Sequence, residues 1–182
     1  MAMNTMNDGV TPTYKRLFSR LVLIATLAVS VSFIPYAAMR FAGLYINLTG
    51  SMARGIWKAY EIPFGAPLKG EAVIVKRGCL PSDERFVKSE YLLKRVAAVE
   101  GDIVDYNAAN ERVCINGTPL PNSKIFPSGK NGLTLPHPEY PYAVPKDCVY
   151  LSSEHIYGYD SRYFGPAPLC SVIATARPVW CR

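Results

Sequence analysis

Tyr91-Leu-Leu-Lys-Arg-Val-Ala-Ala-Val99 is the stretch whose reading decides the fold. Its only charges are adjacent, Lys94 and Arg95, in an otherwise apolar run. Nine residues are too few for a typical buried helix and suit a strand inside a sheet. Glu100-Gly101-Asp102 then turns the chain, and Ile103 to Tyr106 resumes as a strand. Val113-Cys114-Ile115 leads into Asn116-Gly117, a hairpin signal because both residues tolerate positive φ. Upstream, Ala72 to Lys76 is a short β run and Phe41 to Leu48 another. Downstream, Cys148 to Ser152 and Ser171 to Thr175 complete the set.

Punctuation between these runs is dense. The chain has 182 residues, with 15 prolines and 13 glycines, which favours a turn-rich all-β body. Gly65 to Gly70 reads as a turn, and residues 77–89 as irregular. From Pro119 to Pro145 there are seven prolines, so this segment reads as a surface excursion near a functional site. Ser153 to Pro168 reads as a polar and aromatic loop.

Ahead of the body lies a segment of another kind. Leu21 to Met39 runs nineteen residues without a charge, enough at about 1.5 Å per residue to span a bilayer core of about 30 Å. Its Thr and Ser can bond to helix carbonyls, and Pro35 lies near the far end. A cleaved signal peptide has a shorter apolar core and a small-x-small site, for which Ala37-Ala38-Met39-Arg40 is poor. An uncleaved anchor is therefore expected. Lys15, Arg16 and Arg20 precede it and Arg40 alone follows, which puts the N-terminus in the cytoplasm. The expected organisation is a cytoplasmic tail over 1–20, expected to be disordered through Tyr14, then an anchor over 21–39. A periplasmic body over 40–182 follows, tethered to a bacterial inner membrane.

Net charge is +6. Its basic residues are scattered and not interleaved with aromatics, which argues against a nucleic-acid partner. The excess suits membrane lipid headgroups and an ordinary solvated surface equally. Cys79, Cys114, Cys148, Cys170 and Cys181 form no C-x-x-C, and two histidines have no zinc spacing, so no metal or other cofactor is expected. In an oxidising compartment the cysteines predict one or two disulfides, with at least one thiol left over and the pairing open.

The chemistry centres on Thr49-Gly-Ser-Met-Ala-Arg-Gly-Ile-Trp57. Ser51 is a candidate nucleophile, but a serine beside glycine is usually a turn residue, and a hydroxyl needs a base. His137, between prolines, and His155 lack a persuasive Asp partner. Arg54 stands where an S-x-x-K serine would have its lysine, and guanidinium cannot give up a proton. Lys94 is the better base: in an apolar strand, desolvation lowers a lysine's pKa until its neutral form can take a proton. A lysine snorkelling from a strand edge fits the same residues.

Three blocks in order extend this reading. Ser51-Met52 follows the apolar segment, Lys94-Arg95-Val96 is followed by Gly101-Asp102, and Asp160-Ser161-Arg162 by Phe164-Gly165. Together they resemble the type I signal peptidases, membrane-anchored serine proteases with a Ser–Lys dyad. The resemblance implies an all-β catalytic body of coiled sheets. Ser-Met-Ala-Arg-Gly-Ile-Trp is most similar to the Ser-Met-Pro-x-Gly-Leu-Tyr pattern of the conjugative-transfer (TraF) branch, with Ala53 where that pattern has proline. By resemblance Ser51 is the nucleophile and Lys94 the general base. Thr49 would share the oxyanion hole with the Ser51 N–H. Asp160 and Arg162 would form an ion pair steadying the dyad. Where leader peptidases carry a lysine-orienting serine two positions before that Asp, this chain has Gly158. Water or a neighbouring hydroxyl such as Ser161 is the expected substitute.

The resemblance also implies a substrate: an extended pre-protein segment with small residues before the cut, pairing with strand edges beside Ser51. Leu44 to Gly50 and the strand of Lys94 are the expected walls. The short spacer from Arg40 to Gly50 would put the site near the bilayer. For the TraF branch the implied substrate is a conjugative pilin precursor, released by hydrolysis or joined into a ring. A broad housekeeping signal peptidase and a non-catalytic pilus assembly scaffold are the competing readings.

Overall fold

A computed structural model describes residues 12–62, 66–81, 85–129 and 132–182. The chain divides into two units, Met1–Ala42 and Gly43–Arg182. The described residues of the first form one helix, α1 (Pro12–Phe41). Of the tail expected to be disordered, residues 1–11 lie outside the described set, while residues 12–14 are already helical. Proline suits this start, because its fixed φ is helical and the first turn needs no N–H from it. At the other end α1 includes Phe41, which the sequence had suggested as the start of a strand. Apolar side chains along α1 are uncovered, Val31 and Phe33 being 72% and 65% exposed. The segment Tyr14–Phe41 is long and apolar enough to cross a membrane. Thr26 donates its hydroxyl to the Val22 carbonyl at 2.9 Å, so a polar side chain is satisfied within the helix itself.

The second unit is all-β with antiparallel pairing throughout. Its strands are β1 (Leu44–Asn47), β2 (Gly55–Tyr60), β3 (Ala72–Lys76), β4 (Tyr91–Val99), β5 (Ile103–Asn107), β6 (Arg112–Ile115), β7 (Thr118–Pro119), β8 (Tyr142–Ala143), β9 (Cys148–Ser152), β10 (Ala167–Pro168) and β11 (Val172–Cys181). One sheet runs β1-β2-β11-β3-β4-β9-β10 and a smaller one β7-β6-β5-β8. A one-turn helix, α2 (Ser161–Phe164), follows β9.

The central strands are buried because both faces carry apolar side chains. On β3, Val73 and Val75 join Val96, Leu151 and Phe164 on one side, while Ala72 and Ile74 join Met52, Trp57 and Ala176 on the other. A valine or leucine buried in this way contributes about 1.5–3 kcal/mol. Ala98, Val104, Val113 and Tyr150 make a third cluster that includes strands of both sheets. Along β4, Lys94, Val96 and Ala98 are the buried positions, two residues apart as strand geometry requires. The strand that closes the core therefore carries a lysine on its inner face.

The turn after β4 is fixed by Asp102, whose carboxylate accepts from the Val99 N–H at 2.9 Å, from Asn116 Nδ2 at 2.6 Å and from Lys69 at 2.9 Å. Asn116 and Gly117 both take positive φ and make the β6–β7 hairpin. All five cysteines are free thiols, against the expectation of one or two disulfides. They are spread over separate elements, Cys114 on β6, Cys148 on β9 and Cys181 at the end of β11.

Candidate active site

An open cleft of about 850 Å³ runs along the body. Tyr45 to Ser51 form one wall and Tyr91 to Lys94 another, with Phe86 to Ser89, His155 and Tyr157 to Tyr159 also lining it. Ser51 and Lys94 both line this space, as do the two segments expected to hold substrate.

Asn47 builds the turn that presents Ser51. This residue is 8% exposed, and its Nδ2 donates to the carbonyls of Thr49 (3.2 Å), Met52 (3.1 Å) and Ala53 (3.0 Å). Its Oδ1 accepts from the Thr49 N–H at 3.1 Å and from the Thr49 hydroxyl at 2.7 Å. With that proton given to Asn47, the Thr49 hydroxyl stands 3.1 Å from Ser51 Oγ as an acceptor. Asn47 is absent from the sequence-based candidates. The signal for it was an asparagine leading into a Thr-Gly-Ser turn, where a side-chain amide can satisfy several backbone groups at once. Trp57, 2% exposed, anchors the far side by donating Nε1 to the Ala53 carbonyl. Gly55 is required next to it: an added Cβ would lie 2.0 Å from the Trp180 carbonyl oxygen of β11, at a φ of +144°.

Lys94 is 3% exposed and donates Nζ to Ser153 Oγ at 2.8 Å. Burial pulls its pKa down from 10.5 to about 8, with the Asp160 carboxylate drawing it up and the Arg162 guanidinium pushing it down. Near pH 8, then, about half of these side chains are neutral amines able to accept a proton. Ser161, named from the sequence as a possible partner for Lys94, accepts from the Leu151 N–H at 2.9 Å instead.

Asp160 and Arg162 are each 1% exposed and form a two-bond fork, Nε to Oδ1 at 2.8 Å and Nη2 to Oδ2 at 2.9 Å. The remaining guanidinium protons go to the carbonyls of Asn122, Lys124, Ile156 and Gly158. The carboxylate also accepts from the N–H of Arg162, capping α2, and from the N–H of Ser153 at 2.8 Å. This buried pair has its hydrogen bonds satisfied, the condition under which burying two charges is tolerated. It also pins the Pro-rich excursion to the cleft through Asn122 and Lys124.

The histidines stand apart from this arrangement. His137 is exposed, outside the cleft lining, with Nδ1 3.1 Å from the Pro138 carbonyl. His155 lines the cleft, but its Nδ1 accepts from the Tyr157 N–H at 3.2 Å.

Residues 15–181 match the family described as "Signal peptidase, peptidase S26". The conjugal transfer protein TraF of Agrobacterium tumefaciens is 30% identical, over 88% of this chain and 94% of that one. The plasmid transfer protein TraF of Escherichia coli is also 30% identical, over 89% and 97%. A signal peptidase I structure from Enterococcus faecalis aligns with a TM-score of 0.37 at 19% identity, over 60% of this chain and 95% of that one. Matched over residues 15–181 and at 30% identity to relatives it covers almost in full, the chain belongs to the S26 signal peptidase family.

Proposed function

We propose that this chain is a membrane-anchored serine endopeptidase in which Ser51 is the nucleophile and Lys94 the base, and that its substrate is the pilin precursor of a conjugation system. The observation that carries this reading is Lys94: a lysine on the inner face of β4, held by one hydroxyl, with a pKa near 8. Relatives named for conjugal and plasmid transfer support the choice of substrate. The N-terminal helix serves as the anchor, with the N-terminus cytoplasmic and the body periplasmic. Membrane lipid is then its second partner.

In the forward step neutral Lys94 takes the Ser51 proton as Oγ attacks the scissile carbonyl carbon. The carbonyl π pair moves to oxygen, where the Ser51 N–H and the Thr49 hydroxyl donate to it. To donate there, the Thr49 hydroxyl must turn its proton away from Asn47. Collapse expels the leaving amine, which takes the proton from the Lys94 ammonium. In the second step neutral Lys94 takes a proton from the attacking water or from the substrate's own N-terminal amine, the bond from the acyl carbon to Ser51 Oγ breaks, and Lys94 returns the proton to Oγ; water yields a linear product and the amine a ring. Asp160 and Arg162 hold the wall behind the lysine.

Intact-mass analysis of a purified propilin incubated with the full chain in detergent tests this. Wild type converts the precursor, and Ser51→Ala and Lys94→Arg each lose at least about a thousandfold in rate. A ring is one water lighter than the hydrolysed product. Activity rises with pH through about 8, since the base works only after Lys94 loses its proton. An active Ser51→Ala, or an active Lys94→Ala beside a dead His155→Ala, rejects the dyad. Equal cleavage of unrelated signal peptides would favour the housekeeping reading.

A further inference from the structure

The segment immediately after β9 touches both halves of the dyad. Ser153 Oγ accepts from Lys94 Nζ at 2.8 Å, in a place where Ser153 is 4% exposed. The Ser153 N–H is itself fixed at 2.8 Å on Asp160 Oδ2. One residue on, the Glu154 N–H donates to the Ser51 carbonyl at 2.7 Å. The Glu154 carboxylate accepts from the Ala53 N–H at 3.2 Å and from Arg95, the neighbour of Lys94 on β4.

We propose that Ser153 is the positioning residue for Lys94, and that Glu154 ties the turn of Ser51 to the same point, so that two adjacent residues set the spacing between nucleophile and base. This rests on the dyad reading above.

Two departures from the family pattern support it. At Gly158 an added Cβ would stand 2.2 Å from Ser153 Cβ and 2.3 Å from Ser153 Oγ. The space a serine at 158 would occupy is therefore filled by Ser153, whose hydroxyl is the one that Lys94 meets. Ala53 stands where the pattern has proline, and it is the Ala53 N–H, which proline lacks, that Glu154 receives. Both departures meet at the Ser153-Glu154 pair.

The charged groups acting on Lys94 are Asp160 and Arg162, and neither depends on the Ser153 side chain. A hydroxyl that accepts from lysine favours the charged form. Removing it while keeping the cavity closed moves the activity midpoint to lower pH, while the plateau falls because the amine is no longer aimed. Collapse of the wall would admit water and move the midpoint the other way, toward 10.5.

The experiment is the pH–rate profile of propilin cleavage by the full chain in detergent, for wild type, Ser153→Ala, Ser153→Gly and Ser153→Gly/Gly158→Ser. Ser51→Ala and Lys94→Ala are controls for the dyad. Ser153→Ala is expected to lose about tenfold to a hundredfold in kcat with KM within about twofold, and to show an acid-shifted midpoint. In the double variant the clash with the Ser153 side chain is gone, only the His155 carbonyl at 3.0 Å staying close, and a hydroxyl returns to the same space, so kcat recovers at least about fivefold over Ser153→Gly, if aim rather than fold was lost. Wild-type kcat and midpoint in Ser153→Ala overturn the inference while leaving the dyad standing, provided both controls are dead. A midpoint moving toward 10.5 with a lowered melting temperature, and no recovery in the double variant, overturns it in favour of a packing role.

Discussion

The turn of Ser51 finds most of its polar partners within seven residues, Asn47 to Ala53, whereas Lys94 draws its support from Ser153, 59 positions on, and from Asp160 and Arg162 beyond it. One half of the site is a local device and the other a product of the whole sheet. The first can be disturbed with the core left in place. The second cannot, because the groups that tune Lys94 are also groups that hold the body together.

Asp160→Asn gives the largest effect that follows. It leaves the Arg162 charge buried without its counter-ion, which costs about 3–5 kcal/mol of stability. It also removes the charge that draws the Lys94 pKa up while Arg162 keeps pushing it down, so the activity midpoint falls below about 8. Urea unfolding of the full chain measures the first and the pH–rate profile the second. An unfolding curve like wild type would show that the pair is not structural and would break the contrast between the halves.

Asn47→Asp addresses the local half and is milder. The acceptor that Thr49 uses is retained, but a carboxylate now faces three carbonyl oxygens that the amide had satisfied. Stability falls by about 1–3 kcal/mol, and cleavage falls about a hundredfold because Thr49 and Ser51 lose their fixed spacing. Lys94 keeps its partners, so the one push on the midpoint near pH 8 is upward, from the new carboxylate. A midpoint displaced downward would mean that the halves are coupled more tightly than their hydrogen bonds imply.

The same contrast governs what could be read in the sequence. β4 and β9 were legible to the residue, and β3 as well, because each is a short, largely apolar run closed by turn residues, interrupted in β4 only by Lys94-Arg95. β11 was legible only to Thr175. Its continuation through Arg177-Pro178 looks like a stop, but a shift in register between Pro178 and Trp180 absorbs the proline and pairing with β2 resumes. β2 itself was missed, since a six-residue Gly55–Tyr60 strand with a lysine inside gives little periodic signal. Ser51 and Lys94 could be named because three blocks in order resemble the family; strand burial alone pointed only to the lysine. Ser153 could not, because its relation to Gly158 exists only once the loop after β9 has closed on itself.

Glu154→Gln produces the smallest change and tests the join between the halves. Glu154 and Arg95 are 40% and 41% exposed, so solvent screens their attraction and the pair is worth about 0–1 kcal/mol. The backbone bond from Glu154 to the Ser51 carbonyl survives the substitution, and the glutamine oxygen can still accept from the Ala53 N–H. Only the charge on Arg95 is released. Cleavage is therefore expected to fall no more than about fivefold, and the loss should match that produced in wild type by raising salt, because ions screen an exposed pair. Glu154→Ala, which also orphans the Ala53 N–H, falls further and does not converge with wild type at high salt. If both variants behave alike at every ionic strength, the Ala53 contact contributes nothing, and the two halves are joined through the Ser51 carbonyl alone.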